Sequence, residues 1–128
     1  VLKDIEEADK YFSSQDYTGL SIEDEKVYGV YILHPNNIGR CGHICNASYA
    51  VDKNIRGKGV GEALVRDSII RGAQLGYKIL QFNAVVLSNE TAHRLYKKIG
   101  FNEIGIVKNG YLNKNNEYED IVLYYIDL

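Results

Sequence analysis

A glycine-rich run from Arg56 to Gly61, reading R-G-K-G-V-G, lies between a strand pattern and an amphipathic helix pattern. The strand pattern ends at Val51, and the apolar residues of the helix pattern share one face from Leu64 to Ala73. The backbone N–H groups at a helix start lack partners, and the helix dipole makes that end positive. Glycine has no Cβ, so the backbone can approach a bulky anion closely. Together with the charges of Arg56 and Lys58, the run predicts a binding site for a diphosphate group.

Two common phosphate-binding motifs do not fit this run. The pattern G-x-G-x-x-G needs a third glycine, but counting from Gly57 ends at Glu62 and counting from Gly59 ends at Leu64. The pattern G-x-x-x-x-G-K-[ST] is absent. A glycine-rich turn that only joins a strand to a helix is the alternative interpretation.

The rest of the chain alternates strand and helix patterns. Helices are predicted for 2–12, 62–75 and 89–99, strands for 20–23, 27–33, 44–51, 79–87, 101–107 and 121–126, a break at 34–37 and a polar loop at 109–117. A strand–helix–strand unit in the middle predicts a parallel crossover, and antiparallel hairpins flank it. The expected fold class is therefore α/β (α+β), with a mixed central sheet flanked by helices.

Length and charge limit the classes of protein to which the chain can belong. Its 128 residues make one domain, which we expect to span 1–128 and to lack its first strand and helix, because the chain starts at Val1 within a helix pattern. Fifteen basic and seventeen acidic side chains give a net charge of −2, which argues against nucleic acid as a partner. There is no run of 18 apolar residues, so no membrane span is predicted.

Two cysteines flank a histidine in the segment Cys41-Gly42-His43-Ile44-Cys45. Three potential ligands without a second cluster make a poor zinc site, because structural zinc takes four. We therefore predict no metal site. Two thiols that do not form part of a disulfide framework favour a reducing compartment, and the predicted location is cytoplasmic.

Two sequence blocks resemble those of the GCN5-related N-acetyltransferase (GNAT) superfamily. The first is R-x-x-G-x-G, formed by Arg56, Gly59 and Gly61, and the second is N-x-x-A-x-x-L-Y-x-x-x-G-F, from Asn89 to Phe101. They occur in the family's order, with one helix and one strand between them. The resemblance covers residues 27–128 and implies the GNAT fold, in which two parallel strands, here 44–51 and 79–87, splay apart to form the acetyl-CoA cleft.

The resemblance also implies which residues bind the cosubstrate acetyl-CoA. The pyrophosphate would lie on the turn formed by Arg56, Gly57, Lys58, Gly59, Val60 and Gly61. The pantetheine arm would pair with the strand ending in Val51, and Asn89 would contact the pantetheine or adenosine arm. Asn89 is also a suitable N-cap for its helix, and both roles are compatible.

Tyr96 matches the tyrosine that protonates the departing CoA thiolate in many family members, so it is the predicted catalytic residue and also lies at the cofactor site. The alternative is an aromatic residue on the buried stripe with Leu95 and Ile99. No Asp or Glu lies on the strand 44–51, where some members keep a general base. We therefore assign no base and expect deprotonation through water or binding of a neutral amine.

Two asparagines at strand-interior positions, Asn46 and Asn83, are the candidate substrate residues. Their amides both donate and accept hydrogen bonds, which suits an amino acid, although each amide alternatively satisfies a nearby backbone group or faces solvent. The segments 39–46, 55–59 and 82–83 with Asn89 are similar to fungal L-azetidine-2-carboxylate N-acetyltransferases. In that group, asparagines matching Asn46 and Asn83 are expected to hold the substrate. A related bacterial-type small-molecule acetyltransferase with another amine substrate is an equal alternative.

The expected activity is transfer of acetyl from acetyl-CoA to the primary or secondary amine of a small molecule, for example an amino acid or analogue. The alternatives are acetylation of a protein or peptide, or a non-catalytic acetyl-CoA sensor. An aromatic C-terminal hairpin is typical of dimer contacts, and core packing explains it equally well; it contains Tyr111, Tyr118, Tyr124 and Tyr125. A homodimer is therefore left open.

Overall fold

A computed structural model describes residues 17–23, 25–55 and 59–128. The predicted helix at 2–12, together with Arg56, Gly57 and Lys58, lies outside these ranges. The elements are strands β1 (Tyr17–Glu23), β2 (Lys26–Pro35), β3 (Ile44–Val51), β4 (Ile79–Val86), β5 (Asn102–Leu112) and β6 (Tyr118–Asp127), and helices α1 (Val60–Gln74) and α2 (Glu90–Ile99). No helix in this described part is both long and apolar enough to cross a membrane.

The six strands form one mixed sheet in the order β1-β2-β3-β4-β6-β5. Strands β3 and β4 run parallel and are connected through α1, as the sequence pattern predicts. The other neighbouring strands are antiparallel. The predicted fold class, a mixed sheet with helices packed on it, is confirmed.

Alternating side chains divide the central strands into an apolar face and a polar face. On the apolar face, Leu33, Cys45 and Leu80 are fully buried. Helix α1 covers this face closely, because a Cβ on Gly72 would lie only 3.1 Å from Leu128 Cδ1 and 3.5 Å from Cys45 Sγ. Burying one such aliphatic side chain contributes about 1.5–3 kcal/mol, so the contact between α1 and the sheet stabilises the fold.

Two boundaries differ from the sequence-based expectation. Strand β2 includes His34 and Pro35, which pair with Asn46 and Cys45, although the pattern predicted a break there. Proline is tolerated because it occupies the last position of the strand, where a missing N–H removes little pairing. Strand β5 continues to Leu112, so the loop before β6 is shorter than the predicted 109–117.

The sequence did not predict the extension of β5, because a polar stretch with a shifted register interrupts the strand. The register shifts between Val107 and Tyr111, and Asn109 has a left-handed φ of 58° in this interval. After the shift, Tyr111 and Leu112 pair again with Glu119 and Tyr118. Asparagine tolerates this backbone conformation. The chain therefore forms a bulge here and continues as a strand, although its polar sequence suggests that the strand ends.

Candidate functional site

The parallel strands β3 and β4 separate soon after they begin. They pair only at Ile44 with Ile79 and at Cys45 with Leu80. Beyond these pairs, β3 stays bonded to β2 as far as Val51, so the edge of β3 that faces β4 is unpaired. Such an edge carries unpaired backbone N–H and C=O groups that an extended ligand can bind.

A cleft of about 450 Å³ lies where the strands separate. Its walls are residues 46–49 of β3, residues 82–85 of β4 and Tyr96 of α2. The two polar side chains predicted to bind substrate, Asn46 and Asn83, both line it. None of the described lining residues carries a charge, so none of them is a carboxylate that would act as a general base.

Tyr96 lines the cleft, and its ring belongs to an aromatic cluster. Its ring packs 4.6 Å from that of Phe82, 5.4 Å from that of Phe101 and 5.6 Å from that of Tyr124, measured between centroids. Burial, and secondarily the nearby Tyr124, raise the pKa of Tyr96 to about 12. The hydroxyl therefore keeps its proton at neutral pH, which a proton or hydrogen-bond donor in the cleft requires.

Tyr49 supports the ring of Phe82 that lines the cleft. Tyr49 lies edge-on to Phe82, with ring centroids 5.8 Å apart. Its hydroxyl is 2.7 Å from Ser68 Oγ, and Ser68 in turn donates to the Val65 carbonyl of α1. Burial raises the pKa of Tyr49 as well. The Tyr49 hydroxyl is thus engaged with the helix, and only its ring contributes to the cleft.

A second cavity of about 460 Å³ lies at the start of α1. It is lined by Val51, Ile55, Gly59, Val60, Gly61, Asn89 and Thr91. Gly59 is the N-cap of α1, has a left-handed φ of 74° and supplies no side-chain hydrogen bond to the helix. The first N–H groups of α1 therefore have no side-chain cap, and they are available to an anion.

The space around these glycines fits a diphosphate. A Cβ built on Gly59 would meet no atom of the described chain within 4 Å, and one on Gly61 would approach only Val51 Cγ2, at 3.9 Å. The backbone thus borders open space at the positive end of a helix. Arg56, Gly57 and Lys58 belong to the same predicted turn but lie outside the described residues.

Asn89 lines the second cavity and is the N-cap of α2, as the sequence predicts. Its Oδ1 accepts a 3.2 Å hydrogen bond from the backbone N–H of Ala92. This bond leaves the side-chain NH₂ group for another partner. Thr91, which also lines this cavity, was not predicted as a site residue, because its position in the helix pattern carries no signal beyond that of an exposed residue.

Glu62, in the first turn of α1, connects the two helices. Its carboxylate accepts from Lys98 Nζ at 2.8 Å and from Arg66 Nε at 2.9 Å. The hydrogen bond from Lys98, followed by that from Arg66, holds the pKa of Glu62 below its ordinary value. Lys98 lies in the last turn of α2, so the pair joins the start of one helix to the end of the other.

A third asparagine at the cleft, Asn36, was missed by the sequence analysis. It follows β2 directly, and its Oδ1 accepts hydrogen bonds from Asn83 Nδ2 at 2.5 Å and from Asn46 Nδ2 at 3.4 Å. Its position in the predicted break at 34–37 indicated only a turn. The contact joins residues 36 and 83, which are distant in sequence and which only the sheet brings together.

The cysteine segment does not assemble into a site. Cys41 is exposed, whereas Cys45 is buried and lies 3.4 Å from the Ile79 carbonyl through its Sγ. Among the described residues, no group of three or more His, Cys, Asp or Glu side chains could hold a metal ion.

Comparison with known proteins identifies the family to which this architecture corresponds. The model of the Acetyltransferase (GNAT) family matches residues 3–101. N-acetyltransferase aca1 of Schizosaccharomyces pombe is 34% identical over 97 residues, which are 75% of this chain and 46% of that protein. The chain spans less than half the length of the curated relatives that it matches.

Solved structures share the fold. A GCN5-related N-acetyltransferase from Kribbella flavida superposes with a TM-score of 0.86 at 30% identity, covering 96% of this chain and 76% of that one. The yncA protein of Salmonella typhimurium, solved with its cofactor acetyl-CoA, gives a TM-score of 0.80 at 18% identity, covering 87% of this chain and 64% of that one. The resemblance to the GNAT superfamily drawn from the two sequence blocks is confirmed.

Proposed function

Because this chain belongs to the acetyltransferase (GNAT) family, a family of acyltransferases that use acetyl-CoA, we propose that it acetylates the amine of a small molecule. The observation that carries the proposal is the presence of two cavities in the described part of the chain. One lies at the start of α1, where no described side chain caps the first N–H groups, and has room for a diphosphate. The other lies where the two strands separate and is lined by the protonated Tyr96 of α2.

In the proposed reaction, the amine nitrogen attacks the carbonyl carbon of the thioester, a C–N bond forms and the C–S bond breaks. The thiolate leaves with the proton of the Tyr96 hydroxyl, and the acetylated nitrogen loses its extra proton to water. The Tyr96 phenolate then takes a proton back from water, so that an amide and the CoA thiol result. The pyrophosphate would be held by the first N–H groups of α1 at Val60 and Gly61 and by the turn from Arg56 to Gly59. Val51 and Asn89 would contact the pantetheine or adenosine arm.

The chemistry of the cleft supports a small acceptor. Asn46 and Asn83 present uncharged amides, and none of the described lining residues is acidic and would attract a basic peptide. An amide oxygen accepts from an amine and an amide NH₂ donates to a carboxylate, so the pair suits an amino acid or an analogue. The amine would arrive neutral or lose its proton to water, since the described lining residues include no carboxylate base.

The proposed site of action is the cytoplasm, which fits a chain whose two cysteines, one exposed and one buried, suit a reducing compartment. Expression of the full-length protein with a fluorescent tag and cell fractionation would test this location. Recovery in a secreted or membrane fraction would contradict it.

The test of the reaction uses the full-length protein that contains this chain. Acetyl-CoA binding is measured by calorimetry, and release of the CoA thiol is followed with amino acids, proline analogues, polyamines, aminoglycosides and a basic peptide. Release with a small amine supports the proposal. Release with the peptide alone would assign a protein acceptor, and tight binding without release would assign an acetyl-CoA sensor.

A further inference from the structure

Asn36 occupies a fixed position beside the point where the two parallel strands separate. Its backbone N–H donates a 2.8 Å hydrogen bond to the Ile44 carbonyl, at the start of β3. The preceding Pro35 pairs with Cys45, which is also the last residue of β3 that pairs with β4. The backbone of Asn36 is thus held at the paired start of β3 and β4, just before the cleft begins at Asn46.

The side chain of Asn36 determines how the two substrate-site amides are oriented. Its Nδ2 donates to Asn37 Oδ1 at 2.8 Å, so its Oδ1 is the group that faces the cleft residues. That oxygen accepts from Nδ2 of both Asn46 and Asn83. Gln81 Nε2 completes the network by donating to Asn83 Oδ1 at 3.0 Å.

This network leaves one acceptor oxygen uncommitted. Both oxygens and nitrogens of Asn36 and Asn83 are engaged, whereas Asn46 Oδ1 accepts no hydrogen bond from any residue that the structure describes. An amine N–H can donate to this oxygen. Each bonded NH₂ group keeps a second hydrogen, which can donate to a carboxylate.

We propose that Asn36 is a positioning residue that presents the amides of Asn46 and Asn83 to an amino-acid acceptor. The inference rests on the proposed function, since it concerns the acceptor half of the same cleft. Asn36 acts through the two asparagines and does not contact the reacting atoms. Its oxygen holds both NH₂ groups on one side, so the free Asn46 oxygen stays available to the acceptor amine.

The test compares Asn36→Ala, Asn36→Asp and the wild type, with Asn115→Ala as a matched control. Asn115 is an exposed asparagine of the β5–β6 loop, away from the cleft. The probes are the most active amino acid of the panel and the amine that results from removing its carboxylate, such as L-proline and pyrrolidine. KM for each probe, KM for acetyl-CoA and the midpoint of thermal unfolding are measured.

We expect Asn36→Ala to raise the KM of the amino acid by about 3- to 10-fold, the loss expected for one or two hydrogen bonds. KM for acetyl-CoA and the unfolding midpoint should not change. In Asn36→Asp, a carboxylate oxygen still accepts from both amides, so KM for the decarboxylated amine should equal the wild-type value. KM for the amino acid should stay high, because the added charge repels its carboxylate.

Three outcomes would overturn the inference. An unchanged amino-acid KM in Asn36→Ala would show that the contact has no role in acceptor binding. If KM for the amino acid, KM for acetyl-CoA and the unfolding midpoint all change together, Asn36 has a purely structural role. If the wild type itself releases no CoA with any amine, the proposed function fails and the acceptor role of Asn36 fails with it, whereas the first two outcomes leave the proposed function intact.

Discussion

His93 Nδ1 and the Tyr124 hydroxyl lie 2.6 Å apart, and His93 Nε2 lies 3.0 Å from the Val86 carbonyl. A carbonyl only accepts, so Nε2 donates to Val86 and Nδ1 accepts from Tyr124. One imidazole thereby joins α2 to both β4 and β6. Tyr96 lies one turn further along α2 and packs on the Tyr124 ring, so the same contact positions the predicted catalytic tyrosine.

Replacing His93 with Phe should lower the free energy of unfolding by about 1–3 kcal/mol, because the hydroxyl of the fully buried Tyr124 would lose its acceptor. Urea denaturation measures the change. Arg94→Ala, at the exposed neighbouring position, is the control and should stay within about 0.5 kcal/mol of the wild type. Equal stability of the two variants would mean that the bond contributes nothing.

Gly61→Val should weaken acetyl-CoA binding by at least about tenfold, a loss of about 1.4 kcal/mol. The added side chain would enter the second cavity, while its Cβ meets only Val51 Cγ2 at 3.9 Å. Folding should be preserved, since valine has a slightly better helix propensity than glycine. Calorimetry checks the affinity, with Gly105→Val as the control, because a Cβ there also meets nothing within 4 Å. Unchanged affinity would contradict the assignment of the diphosphate site.

Asn89→Asp separates the cap from the cofactor contact. Aspartate caps a helix as well as asparagine does, so stability should remain within about 0.5 kcal/mol of the wild type. Its charge would lie beside the cavity proposed for the diphosphate, so the Kd of acetyl-CoA should rise. Asn89→Ala should lose the cap, which lowers the free energy of unfolding by about 1 kcal/mol. It should also raise the Kd of acetyl-CoA. If Asn89→Asp binds acetyl-CoA normally, Asn89 is only a cap.

Tyr96→Phe should reduce kcat by about 10²-fold, the lower end of the range for proton donors, because a tyrosine with a pKa of about 12 is a weak acid. KM for acetyl-CoA should change little. Steady-state kinetics with the active amine test this, and Tyr111→Phe, at an exposed tyrosine, serves as the control. The raised pKa also means that ionisation of Tyr96 should not lower kcat between about pH 7 and 10. An unaltered kcat would reduce Tyr96 to a packing residue.

The protein should lose stability at alkaline pH. Burial raises the pKa of four tyrosines, namely Tyr31, Tyr49, Tyr96 and Tyr124, above the ordinary value near 10. Because their folded pKa values are raised, their stabilisation is complete below about pH 10 and decreases as the unfolded chain ionises above it. Each contributes a slope of at most about 1.4 kcal/mol per pH unit.

Urea denaturation at several pH values from 7 to 11.5 measures this slope. Tyr49→Phe should make it shallower, because that variant removes one of the buried hydroxyl groups. Tyr118→Phe, at an exposed tyrosine, should leave it unchanged. A free energy of unfolding that stays constant up to pH 11.5 would refute the expected dependence.

The sequence alone determined the fold class, the family and the two features on which acetyl-CoA binding is proposed. These depend on short-range information: the period of apolar residues, the glycines between Val51 and α1, and the block from Asn89 to Phe101. Strand ends were less predictable, because pairing with a neighbouring strand carried β2 through Pro35 and β5 through its irregularity to Leu112.

Only the tertiary structure decided which side chains meet at the cleft. The contacts of Asn36 with Asn83 and of His93 with Tyr124 join residues 47 and 31 positions apart. Neither contact has a local sequence signal, since Asn36 looks like a turn residue and His93 like an exposed position of a helix. Both arise because the sheet order sets β2, β3 and β4 side by side and places β6 next to β4. Residue type and periodicity therefore identify the elements, whereas strand pairing determines which polar groups are close enough to bond.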